Sequence, residues 1–246
     1  MKIKNILFVL IIAVFSLTSC QITEKIYLNE DGSGTFDLEV NMSQMMKSLS
    51  GMGGKKEIDS TYVAKDTIMD FSKILLEKKD SIAKLPKEKK EELEKLKGMI
   101  VKVHEDKNKN EFVMSYLIKF KNVKELAEMQ NMMGNAQSLD EGKDKKLPSK
   151  TNMRFSFKKN KFKRESIAKK LTETEVESYD KSMEQFNMFM DGSSYTIEYH
   201  FPKSIKSTTA KNATFSADKK VLYLKSTLQE VTDTPAILDF EVKLQK

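Results

Sequence analysis

Strict alternation of apolar and polar side chains decides what this chain can fold into. In Thr35-Phe-Asp-Leu-Glu-Val40, the side chains of Phe36, Leu38 and Val40 fall on one side and the polar residues on the other. Phe112, Met114, Tyr116 and Ile118 repeat the pattern. So do Ile22, Ile26 and Leu28, with Glu24 as a charged exception. A period of two belongs to a strand with one buried face. Turn residues join the runs. Asn29-Glu-Asp-Gly-Ser-Gly34 supplies two glycines that admit positive φ, and Lys159-Asn160 sits between Met153–Phe157 and Phe162–Glu165. Hairpins are therefore expected over 22–41, 99–120 and 153–165, with further strands at Tyr195–Phe201, Ala213–Ser216, Val221–Lys225 and Ile237–Leu244.

Between the hairpins the period lengthens. Met42, Met45, Met46 and Leu49 lie at i, i+3, i+4 and i+7, one face of a helix that Ser43 can cap. A second helix from Val123 puts Leu126, Met129 and Met133 together. A third begins at Thr172, with Glu175 completing a capping box, and carries Val176, Tyr179, Met183, Phe186 and Met190. Residues 55–97 read as a charged helical insertion. Its stripe is Ile68, Phe71, Leu75, Ile82 and Leu85, and Pro86 separates its two helices. Residues 135–150 lack periodicity and read as a mobile loop. The sum is a single α+β domain over residues 20–246. Its antiparallel sheet is built from hairpins and covered on one face by helices, with a charged helical hairpin inserted.

Upstream of residue 20 the chain has a different character. Lys2 and Lys4 precede the apolar run Ile6–Leu17, and Thr18 and Ser19 precede Cys20. A basic start, a short apolar stretch and small residues before a cut describe a secretory signal over residues 1–19. The apolar run is shorter than the roughly 20 residues a bilayer-spanning helix needs. Leu17-Thr-Ser-Cys20 resembles the lipobox of bacterial lipoprotein precursors. That resemblance implies that Cys20 carries lipid on its sulfur and becomes the new N-terminus. Two or more acyl chains make a stable membrane anchor, at about 0.8 kcal/mol per buried methylene.

The expected place is the outer membrane, facing the periplasm. Gln21 follows the cysteine, where an aspartate would favour retention in the inner membrane. The acidic cluster that directs surface export is missing. Cys20 is the only cysteine, so no disulfide can form and the exported domain must be held by its core. The 43 basic and 36 acidic residues give a formal charge of +7. Lys2 and Lys4 account for two of those charges, and the rest are interleaved with acids. That balance describes a solvated surface, and nucleic acid is not an expected partner of an exported protein.

Few residues carry chemistry. His104 and His200 are the only histidines, and each falls within an expected strand. There is no Gly-x-Ser-x-Gly, no phosphate-cradling glycine loop and no metal motif. The carboxylates are spread through Lys/Glu runs. The chain is read as a non-enzyme without cofactor or metal. Methionine is common, and Met-x-x-Met-Met occurs at 42–46 and again at 129–133. Three readings stay open. Methionine fills core stripes well, it adapts to varied partners, and its thioether binds Cu(I). As a ligand groove the residues are Met42, Met45, Met46, Met129, Met133 and Met183.

Two resemblances rest on particular residues. An apolar strand, Asn29-Glu-Asp-Gly-Ser-Gly34 and an alternating strand open the mature chain. Tyr199-His-Phe-Pro-Lys-Ser-Ile205, Asp218-Lys-Lys220 and Val221-Leu-Tyr-Leu224 come near its end. Both stretches resemble LppM-type lipoprotein domains, which implies an α+β envelope module with a role in lipid binding. The likeness does not extend to residues 55–150. The chain as a whole resembles lipoproteins of the Bacteroidetes. Asp59-Ser60-Thr61, Asp66-Thr67-Ile68 and Asp80-Ser81-Ile82 resemble the O-glycosylation signal of those bacteria, which implies modification at Ser60, Thr67 or Ser81. Two functions follow as expectations. One is a binding module that holds lipid or another envelope ligand between sheet and methionine helices. The other is an interaction subunit of an outer-membrane assembly that uses the insertion as its contact.

Overall fold

The structure, a computed structural model, describes residues 20–52, 61–135, 150–190 and 192–246. The expected signal at 1–19 lies outside them, as does the expected loop at 135–150 apart from its two end residues. The fold is α+β, with its strands in two sheets. The first hairpin is β1 (Gln21–Leu28) and β2 (Gly34–Asn41). The second is β4 (Ile100–Asp106) and β5 (Glu111–Phe120). They lie side by side in an eight-stranded sheet of order β10-β11-β8-β1-β2-β5-β4-β3. Here β3 is Lys65–Asp70, β8 Ser194–His200, β10 Thr214–Phe215 and β11 Val221–Thr227. The third hairpin, β6 (Thr151–Lys158) and β7 (Lys161–Ala168), belongs elsewhere. With β9 (Ile205–Thr208) and β12 (Phe240–Leu244) it forms a four-stranded sheet of order β6-β7-β12-β9.

The cover of the long sheet therefore differs from expectation. Ile26, Phe36, Ile118, Ile197, Tyr199 and Leu222 are buried on its inner face. What lies over them is partly the second sheet. Phe162 of β7 stands edge-on to Tyr199 of β8, with ring centroids 5.8 Å apart, and to Phe201 at 5.4 Å. Phe155 and Phe240 pack against the same ring. Alternation tells which side of a strand faces inward but not what meets it. A helix covers the rest: α5 (Val123–Asn135) buries Leu126 and Met129 in the same core. The outer face of the long sheet is polar, with Lys25 paired to Glu39 at 2.8 Å and Ser115 donating to Asp37 at 2.6 Å.

Among the described strands one pair is parallel: β1 runs beside β8, Gln21 opposite Ser194. Between β7 and β8 the chain crosses from the short sheet to the long one through α6 (Glu173–Met190). The expected capping box starts that helix, with Glu175 N donating to Thr172 Oγ1 at 3.3 Å and Thr172 N to Glu175 Oε2 at 2.8 Å.

Residues 65–70 depart from expectation more sharply. Instead of opening a helix, they form β3, an edge strand paired antiparallel to β4. Asp70 then caps α2 (Phe71–Glu77) by accepting from Ser72 N at 2.9 Å. α3 (Lys79–Ala83) and α4 (Lys87–Lys95) follow. Ile68 and Phe71, three apart, share a helical spacing, but they fall on either side of that cap. α1 (Ser43–Met52) forms as expected, yet Ser43 is its first residue and does not cap it. The Ser43 hydroxyl accepts from Phe112 N at 3.0 Å, and Asn41 Oδ1 accepts from Ser43 N at 3.0 Å.

The turns are tight at one end. Lys159 and Asn160 adopt φ of 51° and 60°, the left-handed pair a two-residue hairpin needs. Gly32 has φ of 85° as expected. Gly34 is required for a different reason: a Cβ there would lie 2.1 Å from the Tyr27 carbonyl oxygen and 2.6 Å from the Phe120 ring.

Candidate functional site

Cys20 is the residue immediately before β1. Its N–H donates to Ser193 Oγ at 2.9 Å, and its carbonyl accepts from Ser194 N at 3.0 Å. The parallel pairing of β1 with β8 produces this contact, because it sets the starts of both strands side by side. Ser193 is buried and also accepts from Leu228 N, at the start of α7 (Leu228–Asp233). Cys20 is half-buried, and burial pushes its thiol above the ordinary cysteine value. At neutral pH that thiol is protonated, a poor state for a nucleophile.

The methionines separate. Met129 is buried in the core beneath the long sheet, and Met132 of the same helix packs against that core. Met42 and Met45 are half-buried at α1, and Met46 is exposed. Both α1 and α5 pack on β5. Gln130, one residue after Met129, has a buried side-chain nitrogen with no hydrogen-bond partner. Met183 is half-buried on α6, a separate element. The side chain of Met133 lies outside those described.

Sequence reasoning did not find the most heavily buried polar cluster. Glu24, the exception in β1, points between the sheets at 2% exposure and accepts hydrogen bonds from the hydroxyls of Tyr195 and Tyr199. Arg164 of β7 meets it from the other sheet, its Nη2 3.7 Å from Glu24 Oε2. Arg164 also donates to Tyr199 Oη and to the Leu238 carbonyl, each at 3.2 Å. Burial works against the charge of Arg164, but Tyr199, Glu24 and Tyr195 outweigh it and hold its pKa above the ordinary arginine value. Burial, together with Glu24, pushes both phenols well above their ordinary range. A buried charge has to be paired and hydrogen-bonded. Each partner here interrupts an apolar alternation, Glu24 between Ile22 and Ile26, Arg164 two residues after Phe162. Two opposite charges in matching inward positions were the available signal.

The edge of the long sheet is the contrasting region. Val63, Ile68 and Leu76 are 77%, 69% and 71% exposed, and Met69 and Leu85 are exposed as well. His104 of β4 lies among carboxylates, its Nδ1 2.8 Å from Asp66 Oδ1 and its Nε2 3.5 Å from Glu111 Oε2. The hydrogen bond to Asp66, with Glu111 beyond, raises its pKa above the ordinary histidine value. His200 is stacked on Tyr27 at 4.3 Å and bonded to Glu198 at 2.7 Å. Thr67 on β3 and Ser81 on α3 are exposed, whereas Ser60 lies outside the described residues. Among the described residues no group of three or more His, Cys, Asp or Glu is placed to hold a metal ion, and no helix is long and apolar enough to cross a membrane.

No family model matches the sequence, and no curated protein matches it. Among solved structures, the chain is similar to the folded domain of LppM from Mycobacterium tuberculosis, determined by NMR. The likeness covers 92% of this chain and 89% of that one, at 10% identity and a TM-score of 0.41. A likeness of that size leaves function to be argued from this chain's own residues.

Proposed function

We propose that this is a lipid-anchored, non-catalytic protein of the cell envelope that works by engaging a partner protein through the edge formed by β3, α2 and α3. Cys20 carries the anchor and the outer membrane is its site, with the folded part facing the periplasm. The observation that carries the reading is the contrast in apolar exposure. Between the sheets, Phe155, Phe162, Tyr199 and Phe240 pack ring against ring. At the edge, Val63, Ile68 and Leu76 are each more than two-thirds exposed and stand close in sequence. Single exposed apolar residues need no explanation, but three so exposed in the short stretch from Val63 to Leu76 support a contact surface there. Strand β3 is the last strand of the sheet among the described residues, and a partner strand can pair with the backbone of such an edge. A photo-crosslinker at Ile68 in cells of the native host should trap one discrete partner. Trapping nothing above the level of a crosslinker at Ala217 would remove the reading.

A second reading keeps a ligand between sheet and helices. The unpartnered nitrogen of Gln130 favours it, because a buried donor without an acceptor is costly and a ligand oxygen would satisfy it. Lipid extraction of the purified mature protein, followed by mass analysis, tests this reading. Stoichiometric lipid beyond the anchor supports it, and none counts against it. Glycans at Thr67 or Ser81 are compatible with either reading, since both side chains reach solvent.

A further inference from the structure

The contact between Cys20 and Ser193 fixes more than one hydrogen bond. No spacer separates Cys20 from β1, whose first residue is Gln21. Extended chain reaches about 3.6 Å per residue, so a protein anchored at Cys20 has no slack with which to lift its fold from the bilayer. Whatever lies at that end of the strands must meet the headgroups.

The chain connectivity says what lies there. α6 joins the end of β7 to the start of β8, and its Asp180 is 4.0 Å from Lys150 beside β6. The Lys150 ammonium also sits 3.9 Å above the Tyr179 ring. α7 starts from Ser193, and the 3-10 turn Pro235–Leu238 follows it. That turn accepts the Ser166 hydroxyl at its Pro235 carbonyl, 3.2 Å away. These elements bring Ile167, Val176 and Ile237 to the Cys20 end, 39%, 40% and 44% exposed. Lys169 and Lys170 lie beside them and are exposed. Apolar side chains among lysines suit the boundary between acyl chains and anionic headgroups. The opposite end offers turns instead, at Gly32, Lys159-Asn160 and Lys219. The occupant follows from the chain itself. The acyl chains that the lipoprotein reading places on Cys20 are attached at that residue, directly before β1.

We propose that the Cys20 end of the molecule, with Ile167, Val176 and Ile237, is a membrane-contact surface that seats on the bilayer holding the anchor. The inference rests on the lipoprotein reading of Cys20 and adds an orientation to it: the Cys20 end lies in the headgroup layer and the turn end points away.

Cys20 is the only cysteine, and acylation blocks its thiol. One introduced cysteine can therefore be labelled cleanly in the full lipidated protein. Val176→Cys, Ile237→Cys and, in the turn before β11, Ala217→Cys would each carry an environment-sensitive dye. The proteins would be placed in phosphatidylethanolamine–phosphatidylglycerol vesicles containing nitroxide-labelled lipid. Quenching should be several-fold stronger at positions 176 and 237 than at 217, and Ile167→Asp should weaken it at 237 without abolishing flotation. Equal, weak quenching at all three positions in protein that still floats would overturn the contact surface and leave the anchor standing. Protein that fails to float would overturn both. Shielding of position 237 without vesicles, accompanied by dimer on size exclusion, would assign the surface to a second copy and also overturn the inference.

Discussion

The centre of the long sheet and its β3 edge contain the same chemical ingredients in opposite settings. At the centre, a carboxylate and a cation meet at Glu24 and Arg164, both nearly without solvent. At the edge, Asp66 and Glu111 flank His104 in the open. Apolar side chains follow the same division, with Phe162 and Ile197 at 0% exposure and Ile68 at 69%. Burial makes the central pair costly to break, because removing one partner strands a charge in a medium that cannot solvate it. Exposure makes the edge cheap to alter and available to bind. The centre is thus where the fold is held, and the edge is where the proposed partner would be engaged.

The largest effect should come from breaking the centre. Arg164→Met leaves Glu24 unpaired between the sheets and should lower stability by about 3–5 kcal/mol in denaturant titration. Adding Glu24→Gln removes the stranded charge and should recover a large part of that loss. No recovery would mean that the two residues are not energetically coupled.

Next comes the methionine pair. Met129→Ala removes a buried side chain and should cost about 2–5 kcal/mol, whereas Met46→Ala, at an exposed position, should stay within about 0.5 kcal/mol. Equal losses in a thermal melt would erase the difference between α5 and α1. At the edge, Ile68→Asp should likewise change stability by no more than about 0.5 kcal/mol while abolishing partner capture. Capture that survives the substitution would separate the exposed cluster from function.

The smallest effect is pH-dependent. His104 has its pKa raised in the folded state by Asp66 and Glu111. Its contribution is therefore full below the unfolded histidine value of about 6.5 and fades as pH rises through the higher folded one. Amide exchange along β3 should be slower in the native protein than in His104→Gln at low pH, and the two should converge as pH rises. A gap that widens with pH would reverse the assigned sign.

The sequence carries these two regions unequally. Hairpins are legible because their information is local. Phe36, Leu38 and Val40 declare a face, and Lys159-Asn160 declares a two-residue turn. The Thr172–Glu175 capping box is legible for the same reason. Pairing across long separations is not: nothing near Gln21 indicates Ser194 as its parallel neighbour, 173 residues away by the Cys20–Ser193 contact. The edge strand is illegible for another reason. Lys65–Asp70 is short and mixed in polarity, so Ile68 fits a helical stripe with Phe71 as well as a strand. Its identity comes from β4, which offers it a partner. Glu24 and Arg164 were visible only as interruptions, and their meaning depends on two sheets meeting face to face.

The account stands on Cys20, the residue proposed to join the fold to a membrane. Mass analysis of the N-terminal peptide, from protein taken out of its native membranes, tests this most directly. The account predicts a peptide that begins at Cys20 and carries a diacylglyceryl group on sulfur. An N-terminus elsewhere, or an unmodified Cys20, would contradict it.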